Sequence, residues 1–146
     1  MEIVGTVTHL LQDKNPHIWS IGPDATVYEA IELMAGKNIG TVPVLDGGKL
    51  LGILSERDYT RKIVLKGKSS KKTLVREIMS TEPCAVAPGE TVGECMRLMT
   101  EERIRHLPVV DNGQVIGILS IGDLVKWIIS AQAATIDHLT KYIYGE

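Results

Sequence analysis

The chain contains itself twice. Shifted by 65 positions, residues 26–63 fall on residues 91–128 without a gap, and 16 of the 38 paired positions are identical. Thr26-Val27 meets Thr91-Val92, Leu33-Met34 meets Leu98-Met99, and Pro43-Val44 meets Pro108-Val109. Gly52-Ile53-Leu54-Ser55 meets Gly117-Ile118-Leu119-Ser120, and Asp58 meets Asp123. A gapless match of this length means one supersecondary unit used twice. Two such units are expected to pack about a pseudo-twofold axis. A pocket between them then comes as a pair, so function belongs at the cleft between the copies.

Length and composition bound what that cleft can serve. With 146 residues, 44% of them hydrophobic, the chain can bury one good core as a single compact domain of two lobes. A net charge of −2 offers no broad basic surface for nucleic acid. Cys84 and Cys95 form no CxxC or Cys/His frame, so they read as reduced, partly buried thiols. No apolar run reaches the roughly 18–20 residues of a membrane span. Met1-Glu2-Ile3-Val4 lacks a basic segment followed by an apolar one, so no signal peptide is expected and the cytoplasm is the expected location.

Periodicity gives the elements. Residues 6–14 read as a short helix ended by Asn15-Pro16, and residues 17–21 as a short strand. Val27, Ala30, Ile31 and Met34 mark an amphipathic helix over 27–37, capped by Thr26 or Asp24 and ended by a left-handed Asn38. Strands follow over 41–45 and 49–55, joined by an Asp46-Gly47-Gly48 hairpin turn, and a second helix over 56–65. The second copy runs likewise: a lead-in over 85–88, a helix over 92–102, strands over 107–110 and 114–120, and a helix over 121–129. Each unit is therefore β-α-β-β-α. The divisions expected are an N-terminal helix (1–15), a first unit (16–65), a basic polar linker (66–80), a second unit (81–130) and a C-terminal helix (131–146). Both terminal helices carry one apolar face, which points to a homodimer.

Two motifs carry candidate chemistry. The first is Ser55-Glu56-Arg57-Asp58 and its mirror, which starts at Ser120 and ends at Asp123. A hydroxyl followed three residues later by an acid can simply cap a helix. Glu or Gln suits that task better than Asp, however. A short Asp at a helix start can accept two ribose hydroxyls, while the Ser and the helix N-terminus hold phosphate. Gly52 and Gly117 just before would let a ligand approach the backbone. The second motif is the proline-bearing strand. Pro43 and Pro108 must sit at an edge or near a strand start, which suits a pocket rim. Before them, Gly40 and Thr41 in the first copy become Arg105 and His106 in the second, two donors to phosphate oxygens. The pockets should therefore be unequal, one of them strongly anion-binding. Trp19 reads as core or as a platform for a base. No residue set supplies acid, base and nucleophile, and no His or Cys has metal-ligand spacing, so neither an enzyme nor a metal cofactor is expected.

The β-α-β-β-α order, the proline strand, the hairpin turns and the closing G-h-h-S-x-x-D resemble a cystathionine β-synthase (CBS) domain. The two copies are similar to a stand-alone tandem CBS-domain pair, an α/β (α+β) fold, over about residues 16–130. The resemblance implies a regulatory sensor of adenosine-containing ligands such as AMP, ADP, ATP, NAD or S-adenosylmethionine, usually in a flat, disc-like dimer. It implies that Ser55/Asp58 and Ser120/Asp123 hold ribose and phosphate of two ligands. Ile18, Trp19, Gly40 and Thr41 would line one pocket, and Cys84, Arg105 and His106 the other. With no effector domain in the sequence, the output would pass to a partner protein. A dimerising scaffold that ignores ligands is the other reading.

Overall fold

The structure is a computed structural model, and it describes residues 3–12 and 17–144. The end expected for the first helix, and its Asn15-Pro16 stop, lie outside the described residues. Helix α1 covers Val7–Gln12 and α2 Val27–Lys37. Strands β1 (Thr41–Asp46) and β2 (Lys49–Ser55) precede α3 (Glu56–Tyr59), which continues as a wider π turn over Thr60–Val64. A one-turn helix α4 (Val75–Ile78) and a two-residue strand β3 (Ser80–Thr81) follow. The second unit holds α5 (Val92–Glu102), β4 (His106–Asp111), β5 (Gln114–Ser120) and α6 (Ile121–Tyr144).

Local rules set the boundaries. Thr26 Oγ accepts the Glu29 N–H and Glu29 takes the Thr26 N–H in return, while Asn38 ends α2 at φ 55°. Arg103, its counterpart, ends α5 at φ 54°. Both hairpins turn on consecutive positive-φ residues, Gly47-Gly48 and Asn112-Gly113.

The sheet order is β1-β2-β5-β4, with β3 alongside β2. Strands β2 and β5 share one ladder pair, Lys49 opposite Gln114 at their turn ends. The other ends, where Thr41 faces Ser55 and His106 faces Ser120, bound the cleft between the units. Pro43 and Pro108 lie in the two edge strands of this order. The first strand of each unit, however, shrinks to one bridged residue: Ile21 beside Val44, and Val86 beside Val109. Ile21 donates to the Pro43 carbonyl and accepts from Leu45. Extending that parallel ladder back to Trp19 would need the Pro43 N–H, and proline has none. Residues 17–20 are thereby released from the sheet.

Two cores form where one was expected, one per unit. Val27, Ala30, Met34, Val42, Val44 and Leu54 pack in the first. Val92, Cys95, Met99, Leu107, Val109 and Leu119, each 65 positions on, pack in the second. The short helices cross over between them. Val7 and Leu10 of α1 are buried in the second core, and Val75 and Ile78 of α4 in the first. Their bonds match across the repeat. Val7 N–H reaches the Glu90 carbonyl as Val75 N–H reaches that of Ala25, both at 2.8 Å. The apolar face of α1, expected to serve a dimer, is therefore used within the chain. The stretch 66–80, expected as a linker, contains α4 and β3. The two C-terminal helices expected are one: Ser130 is no helix breaker, and α6 runs through it for 24 residues.

Candidate functional site

Where residues 17–20 leave the sheet, a cavity of about 360 Å³ opens between the units. Ile18, Trp19, Thr41 and Pro43 line it from the first unit, and His106 and Ser120 from the second. Its volume is that of a small-molecule site, roughly 300–1,000 Å³. The sequence had assigned His106 to a different pocket from Ile18, Trp19 and Thr41; the crossed geometry mixes the two sets. Leu11, His17, Ile39 and residues 116–118 complete the wall. Leu11 escaped the sequence reading because α1 crosses to the other unit, which no local pattern announces. His17 meets the Trp19 ring edge-on with centroids 4.0 Å apart, and the Lys37 ammonium stands 4.0 Å over the same ring. The indole already holds a cation against its face.

Both Ser–Asp motifs are reciprocal caps in this structure. Asp58 Oδ2 accepts the Ser55 N–H at 2.9 Å and the Ser55 hydroxyl at 3.0 Å, and Asp58 N–H donates back to Ser55 Oγ at 3.1 Å. Asp123 Oδ2 accepts the Ser120 N–H at 2.8 Å, and its own N–H reaches Ser120 Oγ at 3.1 Å. Beyond the caps the two sites diverge. Asp58 is buried, with the Lys62 ammonium 3.1 Å from Oδ1 and the Ser80 hydroxyl at 3.5 Å. Lys62 also donates to the Ile78 carbonyl at 2.8 Å, tying the π turn to the α4 end. The residue 65 positions after Lys62 is Trp127. Its indole N–H donates to the Val4 carbonyl at 2.7 Å, and its ring stacks on His9.

The glycines before the motifs are filled by protein. A Cβ on Gly52 would meet the Ser80 carbonyl oxygen at 2.6 Å, because β3 pairs there; a Cβ on Gly117 would meet Leu11 Cδ2 at 2.6 Å. Close approach is the reason for both glycines, as expected, but the chain itself makes it.

The remaining candidates mark the helix starts. The Gly40 carbonyl accepts the Glu56 N–H at 3.0 Å, and the Arg105 carbonyl accepts that of Ile121 at 2.8 Å. Arg105 is exposed beside the first turn of α6, and Arg57 is exposed on that of α3. The first turn of α3 carries the acids Glu56 and Asp58 with Arg57 between them, whereas that of α6 carries the single acid Asp123 and is flanked by Arg105 and His106. Pro108 is buried in β4, and Cys84 packs partly buried against the second core. Burial raises the Cys84 thiol pKa, Glu102 adds to the rise, and Arg97 opposes it. Among the described residues no group of three or more His, Cys, Asp or Glu side chains is placed to hold a metal. No described helix is long and apolar enough to cross a membrane.

The fold is a tandem pair of like units with a cavity of small-molecule size between them and a capped acid at each helix start. The CBS domain model matches the chain twice, over residues 11–65 and 75–130, and the chain belongs to the CBS-domain family. It is 42% identical over 127 residues to the mitochondrial CBS domain-containing protein CBSX3 of Arabidopsis thaliana, covering 84% of this chain and 62% of that one. The chain thus spans less than two thirds of that relative. Among solved structures, a candidate signal-transduction protein with CBS domains from Burkholderia ambifaria MC40-6 is 49% identical, with a TM-score of 0.82 over 88% of this chain and 96% of that one. CBSX2, solved in complex with AMP, is 27% identical, with a TM-score of 0.74 over 87% and 98%. Such CBS pairs are in general regulatory proteins.

Proposed function

We propose that this CBS pair senses an adenosine-containing ligand (AMP, ADP, ATP or NAD) held in the cavity between the units, and passes the signal to a partner protein. The observation that carries this reading is the composite cavity itself. It joins an apolar wall of Ile18 and Pro43 and the Trp19 indole to polar groups from the other unit, His106 and Ser120. A base fits the first set. Ribose hydroxyls fit Asp123, three residues beyond Ser120, and phosphates fit Ser120, His106 and Arg105 at the start of α6. The AMP held by CBSX2 supports an adenosine ligand.

The same chemistry favours one site over two. Glu56 and Asp58 place two acids in the first turn of α3. A phosphate-bearing ligand prefers the end with Arg105 and His106. The free thiols of Cys84 and Cys95 suit a reducing compartment such as the cytoplasm.

Thermal melting of the purified chain with adenosine, AMP, ADP, ATP and NAD tests the reading. A ligand at about one hundred times its Kd stabilises the folded state by about 2.7 kcal/mol, so the melting temperature should rise with concentration. A scaffold that ignores ligands gives no shift with any of the five.

A further inference from the structure

The basic stretch between the units concentrates the positive charge of the chain. Residues 59–76 hold seven basic residues and no acid, while the rest of the chain holds nine basic residues against 18 acids. The matching residues of the second unit, 124–141, hold Lys126 and Lys141 against Asp137, with His138. The charge is therefore one-sided and not a property of the repeat. Arg61, Lys66, Lys68, Lys71 and Lys72 are exposed. Of the acids bordering the stretch, Asp58 pairs with Lys62, Asp24 with Arg76, and Glu77 accepts the Leu74 N–H. Glu56 lies against Gly40. Among the described residues no acid is within ion-pair distance of the five exposed cations. The segment is also held in shape. The Leu65 and Lys68 N–H groups reach back to the Thr60 and Ile63 carbonyls, Gly67 turns at φ 64°, and the Ser70 carbonyl takes the Tyr28 N–H of α2. Between the cations stand Val64, 54% exposed, and Leu65, at 72% the most exposed large apolar side chain among the described residues. A Cβ on Gly67 would meet nothing within 4 Å, so the turn stands out into solvent.

We propose that this turn docks the protein reversibly on an anionic membrane surface, with Val64 and Leu65 entering the headgroup zone and the surrounding cations meeting lipid phosphates. The composition of the turn selects lipid. Protein interfaces favour Arg and are poor in Lys, because the guanidinium fork matches a carboxylate; here four of the five exposed cations are Lys. Single-stranded nucleic acid stacks its bases on aromatic faces, and the Tyr28 ring beside the turn already carries the Lys71 ammonium 4.7 Å from its centroid. Val64 and Leu65 would have no task on a polynucleotide. An anionic bilayer uses both features, apolar insertion and diffuse cationic attraction. The proposal needs neither the cavity nor a nucleotide.

The experiment is co-sedimentation of the full chain with vesicles of phosphatidylcholine alone and of phosphatidylcholine with phosphatidylserine, at low and raised salt. The chain should bind the mixed vesicles only, and salt should release it. Lys66→Ala with Lys68→Ala should weaken binding about 25-fold, at about fivefold for each cation near the surface. Leu65→Ser should weaken it about tenfold, for the insertion of one aliphatic side chain, with an unchanged melting temperature because Leu65 lies outside both cores. Lys126→Ala, which removes the counterpart of Arg61 in the second unit, should bind as the wild type does. Failure to bind the mixed vesicles overturns the proposal, as does undiminished binding by Leu65→Ser or by the double lysine variant. An equal loss in Lys126→Ala overturns it in favour of net charge. Tighter binding of poly-glutamate or of a single-stranded oligonucleotide than of the vesicles overturns it in favour of another polyanion.

Discussion

Lys62 and Trp127 occupy the same place in the two units and do different work. The Lys62 ammonium lies 3.1 Å from Asp58 Oδ1, while the Trp127 indole turns away from α6 to bond the Val4 carbonyl. One repeat has equipped its acid with an internal cation; the other has used the position to fasten the N-terminal segment. Asp58 therefore carries structure. We expect Asp58→Ala to lose about 1–3 kcal/mol of stability, as it removes the cap of α3 and leaves the Lys62 ammonium only the Ile78 carbonyl. Urea unfolding measures this directly, and a loss below a few tenths of a kcal/mol would count against it.

Gly52 and Gly117 are equivalent in sequence but not in what fills them. At Gly52 the obstacle is the Ser80 backbone, held by β3; at Gly117 it is the free end of the Leu11 side chain. Backbone cannot step aside, whereas a methyl group can turn. Gly52→Ala should destabilise by about 1–3 kcal/mol, and Gly117→Ala by clearly less. Urea midpoints of the two variants give the comparison, and equal losses would contradict it.

Burial pushes the Cys95 thiol up to about 11, with Glu90 and Glu94 adding to the rise. Between pH 9 and 11 the folded chain keeps this proton while the unfolded chain releases it. The folded state then binds more protons, so stability falls as pH rises through that window. Cys95→Ala should flatten this alkaline decline, since Ala30 fills the matching place in the first core. Unfolding curves at pH 8 and pH 10 for both chains decide the matter. In the wild type at neutral pH, Cys95 should react with thiol reagents only on unfolding.

Periodicity and turn chemistry made most of the fold readable. The Val27, Ala30 and Met34 stripe, the Asn38 terminator and the Asp46-Gly47-Gly48 turn act on their own neighbourhoods. Each was visible before any contact was known. The crossing of α1 and α4 was not, because Val7 and Val75 look alike and only three dimensions assign each to the other unit's core. The site was legible by the same division. Ser120, His106 and Trp19 stood out by residue type and spacing. Leu11 and the pairing of Trp19 with His106 depended on the crossing. The Lys62–Asp58 pair could have been noticed from its i,i+4 spacing, the usual reach of a helical ion pair.

Arg105 stands where the first unit has Gly40, beside the first turn of α6. Its guanidinium offers phosphate oxygens a planar fork of donors, so it should read phosphate. Arg105→Ala should weaken ATP and ADP by about tenfold, the value of one charge-assisted hydrogen bond, and adenosine hardly at all. Titration of adenosine, AMP and ATP into both chains separates phosphate reading from pocket shape. Equal losses for all three would assign Arg105 to the shape of the pocket.

An adenine nucleotide bound between the units, as proposed, rests its ribose on Asp123. Calorimetric titration of AMP and ATP into the wild type, Asp123→Ala and Asp58→Ala tests it most directly. One equivalent should bind per chain. Asp123→Ala should lose about tenfold or more in affinity, as for a carboxylate that accepts two hydroxyls, and Asp58→Ala should bind close to wild type below its unfolding temperature. Absence of binding to the wild type, or undiminished affinity in Asp123→Ala, would contradict it.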